Sequence, residues 1–244
     1  MRKRYGVGTP NLIAMSGQSD LGARTPQARE ISSRSRSIAK AIVGDNAGVD
    51  TEGVTGYEDR VRQRSVIATG DPGFRDLLRF ENDPVRAGID AIRRGADIYT
   101  DIRMALVGIT KVGHSCRVSC VLDCAAGEAI VERDGSTRTS AGFVALRHDL
   151  DDAIIVIGNA PSAALALCAL IKDGASPALV VGTPVGFVNA AESKELLRSL
   201  NVPSITCVGT RGGTPVAVAC MNELIAIAGE ASEGDGGDGA DAHD

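Results

Sequence analysis

Short apolar runs alternate with helical stretches in the second half of the chain. Three runs, residues 153–157, 178–181 and 204–208, are rich in Val and Ile and have the length of buried strands. Each run is followed by a loop that contains glycine and then by a helical pattern. Because a parallel neighbour requires a crossover connection, three such units predict an α/β domain with a mainly parallel central sheet.

The loops that follow these strands contain the first candidate binding residues. All three should open at one edge of the sheet, where open α/β sheets bind their ligands. The first loop has Asn159, predicted to cap the helix that begins at Pro161. The second has Gly182 and Gly186, which let backbone N–H groups approach a ligand, and the third has Arg211. Ordinary βα connections are the alternative interpretation, but the set together favours an anionic, hydrogen-bonding ligand.

The first half of the chain gives weaker patterns. Thr25 and Pro26 open a predicted helix that reaches about Val43, with Ser35 on the same face as several isoleucines. Residues 59–70 predict a helix that runs into a strand, residues 84–95 a helix, and residues 113–122 a strand. These patterns predict mixed helix and strand before the three regular units.

The ends of the chain differ in composition from the middle. Residues 1–24 lack a hydrophobic period and predict a mobile arm, and residues 25–229 form one predicted α/β domain. Residues 230–244 repeat Glu, Asp and Gly and have no apolar residue larger than Ala, so a disordered acidic tail is predicted.

Composition excludes several classes of function. The formal net charge is −5, which argues against a nucleic-acid partner. No apolar run approaches the roughly 20 residues needed to span a bilayer, and residues 1–4 lack the apolar region of a signal peptide. We therefore expect no membrane association and a cytoplasmic location.

The six cysteines and three histidines do not form a metal motif. Cys116, Cys120 and Cys124 are spaced by four, which fits neither zinc nor ferredoxin motifs, and on a strand they would lie too far apart to share one ion. The histidines, His114 and His148 among them, have no partner at ligand spacing. We expect no metal site, no disulfide and surface positions for the histidines.

Several longer motifs carry a resemblance to a known family. The segments GNAP at 158–161, GTPVGFVNAAESKE at 182–195 and RGG at 211–213 resemble the precorrin-8X methylmutases of cobalamin biosynthesis, and so do residues 100–104 and 137–141. The resemblance covers roughly residues 28–224. It implies a flavodoxin-like three-layer α/β/α fold, a homodimer and an isomerase that needs no added cofactor. The implied reaction shifts a methyl group from C-11 to C-12 and converts precorrin-8X or cobalt-precorrin-8 to hydrogenobyrinate or cobyrinate.

The resemblance also implies a set of residues that face the tetrapyrrole, which is a polycarboxylate. In this chain the substrate-binding residues would be Ser35, Thr100, Asp101, Arg103, Arg138, Asn159, Gly182, Gly186, Arg211 and Gly212. Arg138 would hold a carboxylate of the macrocycle, for which a guanidinium is suited by its planar paired donors. For Asp101 and Arg103, a structural ion pair is the alternative to substrate contact.

One position departs from the family pattern. The catalytic His of the family aligns with Ile67, and an isoleucine cannot act as a general acid. Thr69 and Arg64 are the nearest polar candidates, although neither is a natural proton donor near neutral pH, and Thr69 joins Ile67 as a candidate catalytic residue. Two alternatives to an active methylmutase therefore stay open. One is a tetrapyrrole-binding homologue with impaired catalysis, and the other, from the loops alone, is a flavodoxin-like nucleotide or phosphate binder.

Overall fold

A computed structural model describes residues 23, 25–44 and 54–233. Six strands form one sheet, β1 Leu78–Glu81, β2 Ile98–Thr100, β3 Val118–Cys120, β4 Ile154–Ile157, β5 Leu179–Gly182 and β6 Ser204–Cys207. The helices of the described residues are α1 Pro26–Val43, α2 Val54–Thr69, α3 Phe74–Leu77, α4 Pro84–Arg93, α5 Arg103–Gly108, α6 Ala125–Asp134, α7 Arg138–Ala145, α8 Pro161–Lys172, α9 Ala190–Arg198 and α10 Thr214–Glu233.

The sheet is parallel except at one edge. Its strand order is β1-β6-β5-β4-β2-β3, and β1 alone runs antiparallel to its neighbour β6. The three predicted strands are β4, β5 and β6, adjacent and parallel in the sheet. The mainly parallel sheet predicted from the three units is therefore confirmed.

Alternate residues of the central strands enter two separate cores. On β4, Ile154 and Val156 pack in a cluster with apolar residues of α2, α4 and α10. Ile155 and Ile157 face the opposite cluster, with apolar residues of α7, α8 and α9. A strand buried on both faces accounts for the continuous apolar run in the sequence. The three-layer α/β/α arrangement is confirmed.

Helix ends follow the sequence signals in most places. Thr25 Oγ1 accepts from the N–H of Ala28 at 3.2 Å, Pro26 is the first residue of α1, and the helix ends before Gly44. Pro161 likewise begins α8, but Ala160 is the capping residue and makes no side-chain cap hydrogen bond. The prediction that Asn159 caps this helix is therefore wrong. Asn159 lies one residue before the cap, and its backbone N–H donates to Asp101.

Other boundaries differ from the sequence predictions. Residues 59–70 belong to α2 and its end, without the strand predicted there, and β1 at the antiparallel edge was not predicted. The strand predicted over residues 113–122 is only β3, which a short 3-10 turn and α6 follow. Cys116, Cys120 and Cys124 therefore do not lie along one strand.

The two chain ends are only partly described. Most of the arm predicted over residues 1–24 lies outside the described residues, as do residues 234–244 of the predicted tail. Helix α10 runs to Glu233, four residues beyond the domain boundary predicted at Gly229. Among the described helices, none is both long and apolar enough to cross a bilayer.

Candidate active site

The carboxyl ends of β2 and β4 meet at the point where the chain changes direction across the sheet. After β2, α5 packs against α10 on one face, and after β4, α8 packs against α7 and α9 on the other. A crevice between such diverging connections is where open α/β sheets bind ligands. Asp101 follows β2 and Asn159 follows β4, so two predicted site residues meet here.

Asp101 joins the two sides of this crevice. Its side chain is fully buried, and Oδ2 accepts from the backbone N–H of Asn159 at 2.7 Å and of Ala160 at 2.9 Å. Burial raises the pKa of this carboxyl above its ordinary value, and the backbone N–H donors oppose that shift. Asp101 thus fixes the loop that carries Asn159 instead of presenting its carboxylate to solvent.

Thr100 and Arg103, on either side of Asp101, are used differently. Thr100 is fully buried, and its hydroxyl lies 3.3 Å from the carbonyl oxygens of Ile102 and Ser119. Arg103 extends into solvent and pairs with Asp123. The structural ion pair considered for Arg103 thus exists, but with Asp123 in place of Asp101.

Arg138 lies beside the start of α8. Thr137 caps α7, and its hydroxyl is 2.9 Å from that of Ser162 in the first turn of α8. This contact joins the start of α7 to the start of α8, and the side chain of Arg138, the first residue of α7, is exposed. Arg138 also lines a depression together with Cys124 and Glu128. A guanidinium here is accessible to a carboxylate approaching the carboxyl edge of the sheet.

The loops after β5 and β6 are tied to each other. Thr183 carbonyl oxygen accepts from the N–H of Gly213 at 2.7 Å, and the N–H of Gly186 donates to the carbonyl of Thr210 at 3.1 Å. The N–H of Gly186, predicted to face a ligand, is therefore engaged within the protein. Gly212 has φ +152°, and a Cβ there would collide with the Thr183 carbonyl oxygen.

Gly182 has a packing role. It is the last residue of β5, and a Cβ at this position would lie 2.6 Å from Leu197 Cδ2 of α9. Glycine therefore allows α9 to pack closely on the strand. The close approach that glycine was expected to allow to a ligand is made here by a helix.

Arg211 lies at the tip of the β6–α10 loop and reaches toward the end of α2. Its guanidinium pairs with Asp71 and lies 5.2 Å from the centre of the Phe74 ring. Asp71 is itself fixed, since its Oδ1 accepts from the N–H of Gly73 at 2.8 Å. The Arg211 side chain is 48% exposed, so a ligand carboxylate can reach it.

Lys194 is a candidate residue that sequence reasoning missed. It lies in α9, is fully buried, and donates to the carbonyl oxygen of Arg211 at 2.6 Å. The neighbouring Glu192 and Glu195 make this helix look solvent-exposed at Lys194. The signal was the spacing of Ala190, Ser193, Lys194 and Leu197 at i, i+3, i+4 and i+7, which marks the buried face.

The two candidate catalytic positions, Ile67 and Thr69, lie on α2, and neither side chain is suited to act as a general acid. Ile67 is partly buried and packs against the core beneath α2. The Thr69 hydroxyl donates to the carbonyl of Ser65 at 2.8 Å and accepts from the N–H of Asp71 at 3.2 Å. The hydroxyl proton of Thr69 is therefore engaged in a hydrogen bond within the last turn of α2.

The described histidines do not replace the missing one. His114 Nε2 lies 2.7 Å from the Thr110 carbonyl oxygen, and Nδ1 accepts from the N–H of Cys116 at 3.1 Å. Both ring nitrogens thus hold a turn, and this partly buried ring is not the surface residue predicted. His148 is exposed, and His243 lies outside the described residues.

A buried carboxylate joins α1 and α2 to α10. Glu223 is fully buried, and the guanidinium groups of Arg36, Arg60 and Arg64 lie between 2.9 and 3.7 Å from its oxygens. Burial is the largest influence on Arg64 and lowers its pKa. Ser35 lies half-buried on α1 beside Arg36, and no described contact joins it to the loops of the carboxyl edge.

The fold and the placement of Asn159, Arg138 and Arg211 define a doubly wound α/β protein with a candidate anion site at the carboxyl edge of its sheet. Comparison with known families then gives the family. The model of the precorrin-8X methylmutases matches residues 30–227. The chain belongs to this family, an assignment that confirms the resemblance and the methylmutase type of enzyme expected from it.

Individual relatives agree with the assignment. The cobalt-precorrin-8 methylmutase of Methanocaldococcus jannaschii is 39% identical over 213 residues, which cover 85% of this chain and 98% of the relative. The precorrin-8X methylmutase of Pseudomonas aeruginosa is 37% identical over 73% of this chain and 88% of its own length. The crystal structure of precorrin-8X methylmutase from Thermus thermophilus superposes with a TM-score of 0.75 at 34% identity, over 83% of this chain and 97% of that one.

Proposed function

We propose that this protein is an isomerase of cobalamin biosynthesis that moves a methyl group from C-11 to C-12 of a corrin precursor. The substrate is precorrin-8X or its cobalt form, and the product is hydrogenobyrinate or cobyrinate. The observation that carries the proposal is the family match over residues 30–227 together with relatives that bear both methylmutase names. The comparisons favour this function over a nucleotide binder or an inactive homologue.

The carboxyl edge suits a flat ring with several carboxylates. Arg138 begins α7 and Arg211 lies in the β6–α10 loop, and both guanidinium groups are accessible. Each can receive a carboxylate through paired N–H donors, with about 1.5–3 kcal/mol for each charge-assisted hydrogen bond. Asp101 and Thr183 hold the loops between these arginines, so little reorganisation is needed when the ligand binds.

In the proposed reaction, the main contribution of the protein is to bind the substrate. The migrating methyl is already part of the ring, so no acceptor and no cofactor are required. Acceleration comes from binding that favours the rearranged state over the starting one. With isoleucine at position 67, the proton must reach the substrate from another group or from water.

The proposal includes a homodimer in the cytoplasm. Three apolar side chains of the β5–α9 loop support this part of the proposal, because they are exposed in the single chain. Val185, Phe187 and Val188 are 43%, 94% and 75% exposed. A second copy of the chain would bury these side chains next to the candidate site. Size measurement in solution tests this part independently of activity.

Turnover tests the proposal. The purified protein is incubated with precorrin-8X and, separately, with cobalt-precorrin-8, and the absorption spectrum is followed. We expect conversion of at least one substrate, and slower conversion by roughly tenfold or more in Arg211→Ala. Arg133→Ala is the matched control, because Arg133 is exposed and its ion pair among the described residues is with its neighbour Asp134. An unchanged spectrum with both substrates would contradict the proposed function.

A further inference from the structure

Lys194 is a buried ammonium whose partners are neutral. Its Nζ lies 2.6 Å from the carbonyl oxygen of Arg211 and 3.5 Å from Cys207 Sγ, and the side chain is fully buried. In the described part of the chain these partners are a carbonyl and a thiol, with no carboxylate in the pair. Burying a charge without a counter-charge is unfavourable, so an apolar side chain would pack here at lower cost.

The carbonyl held by Lys194 belongs to a loop with little rigidity of its own. Gly209, Gly212 and Gly213 all have positive φ values, of +73°, +152° and +116°. Contacts with Thr183 and Gly186 fix the residues on either side of Arg211. Lys194 Nζ donates to the carbonyl oxygen of Arg211 at 2.6 Å, and the Cys207 thiol donates to the same oxygen at 3.0 Å. Lys194, which makes the shorter of these two contacts, thus helps to fix the peptide of Arg211 itself.

The side chain of Arg211 extends from this fixed peptide to the far side of the loop. There it pairs with Asp71 and packs over Phe74, with half of the side chain in solvent. The backbone is thus held from within the protein while the guanidinium stays accessible. A displacement of about 1 Å in such a group can reduce its contribution by a large factor.

We propose that Lys194 is a positioning residue for the corrin substrate, because it fixes the peptide from which Arg211 receives a ligand carboxylate. This inference rests on the proposed function, since it assigns to Lys194 the placement of a residue in that same site.

A double-mutant cycle separates this role from general stabilisation. The affinity for the product hydrogenobyrinate is measured by absorption for wild type, Lys194→Met, Arg211→Ala and the double variant. Methionine has a similar length and no donor. We expect Lys194→Met to weaken binding roughly tenfold. In the Arg211→Ala background the same change should have less than about a twofold effect, because coupled residues are not additive.

Thermal unfolding without ligand gives the second measurement. Removing an uncompensated buried charge should leave the melting temperature of Lys194→Met unchanged or raise it. Affinity and stability should therefore move independently, whereas a merely structural lysine would lose both. Lys172→Met, at the exposed end of α8, controls for the loss of a positive charge. Lys194→Gln, a neutral donor, replaces the methionine variant if that variant does not fold, and is expected to lose less affinity.

The outcomes separate this inference from the proposed function. Full additivity of Lys194→Met and Arg211→Ala, or unchanged affinity in Lys194→Met, would overturn the role of Lys194 while leaving corrin binding intact. Failure of the wild-type protein to bind hydrogenobyrinate would overturn the proposed function, and with it this inference. If Lys194→Met weakens binding in the wild-type background but has little effect in the Arg211→Ala background, both the proposed function and the role of Lys194 are supported.

Discussion

Asp101 holds the backbone of Asn159 across the crevice between β2 and β4. One carboxyl oxygen accepts from two consecutive N–H groups, at 2.7 Å from Asn159 and 2.9 Å from Ala160. Both donors lie immediately before α8, whose capping residue makes no side-chain hydrogen bond. Asp101 therefore anchors the two residues that precede α8, from a different strand, and does not replace a capping side chain, which accepts from N–H groups inside the first turn.

Removal of this carboxyl should destabilise the protein. In Asp101→Ala, the buried N–H of Ala160 and the partly buried N–H of Asn159 lose their acceptor. Each unsatisfied buried donor costs about 1–3 kcal/mol. We expect the free energy of unfolding in urea to fall by roughly 2–5 kcal/mol. Asp123→Ala is the control, because Asp123 is a half-exposed acid that pairs with Arg103 at the surface. Equal and small effects of the two substitutions would show that Asp101 does not hold the loop.

The same carboxyl should give stability a specific pH dependence. Burial raises the pKa of Asp101 above the value of 3.8 expected in the unfolded chain. Between these two pKa values the folded state binds more protons, so the contribution of Asp101 to stability falls as pH rises. The unfolding free energy of wild type minus that of Asp101→Asn should decrease from about pH 3 to pH 7. A difference that grows with pH would mean that the backbone donors depress this pKa.

If Ile67 stands where the family has its general acid, as the resemblance implies, a histidine there should speed the reaction. General acid catalysis typically contributes about 10²–10⁴-fold, and Ile67→His should raise the rate toward that range. The gain should be lost above a pKa near 6.5, the ordinary value of an imidazole. Initial rates across pH are compared for wild type, Ile67→His and Ile67→Leu, which keeps the packing apolar. If the histidine variant is no faster, the acid is another group or Ile67 does not face the substrate.

The end of α10 should contribute to stability although the sequence placed it in the tail. Arg60 forms two hydrogen bonds with Glu230, at 2.6 and 2.9 Å, between side chains that are about three-quarters buried. A chain that ends at Gly229 loses this pair and should lose on the order of 1 kcal/mol in urea unfolding. A chain that ends at Glu233 should match the full chain, and Glu230→Gln in the full chain should reproduce most of the loss. Equal stability of all four proteins would show that Glu230 does not contribute to folding stability.

The sheet could be predicted wherever apolar runs were strong. Strands β4, β5 and β6 are buried on both faces, and β4 and β5 accordingly show continuous runs of Ile, Val and Leu. Strand β6, Ser-Ile-Thr-Cys, carries a weaker form of the same signal. Strand β1 was missed because only one of its four residues is buried, so an edge strand lacks that signal. Helix α1 was predicted closely because Thr25, Pro26 and Gly44 mark its ends with side-chain and backbone preferences.

The site was predictable in position and not in detail. Parallel topology alone brings Asn159, Arg211 and the glycine loops to one edge. No local pattern could tell that Asp101 bonds to a loop 58 residues away or that Arg211 pairs with Asp71, since both contacts depend on tertiary packing. At Gly182 and Gly212 a Cβ would collide with other parts of the protein. The sequence shows only that glycine stands there, and it does not show whether the close neighbour is a ligand or the protein itself.

The methyl shift itself is the most direct test of the account. Precorrin-8X that carries ¹³C in the migrating methyl group is incubated with the wild-type protein and followed by ¹³C NMR. We expect the methyl resonance of the substrate to be replaced by one new methyl resonance of equal intensity, because the carbon moves within the same molecule. A resonance that stays unchanged, while the substrate is bound, would contradict the account.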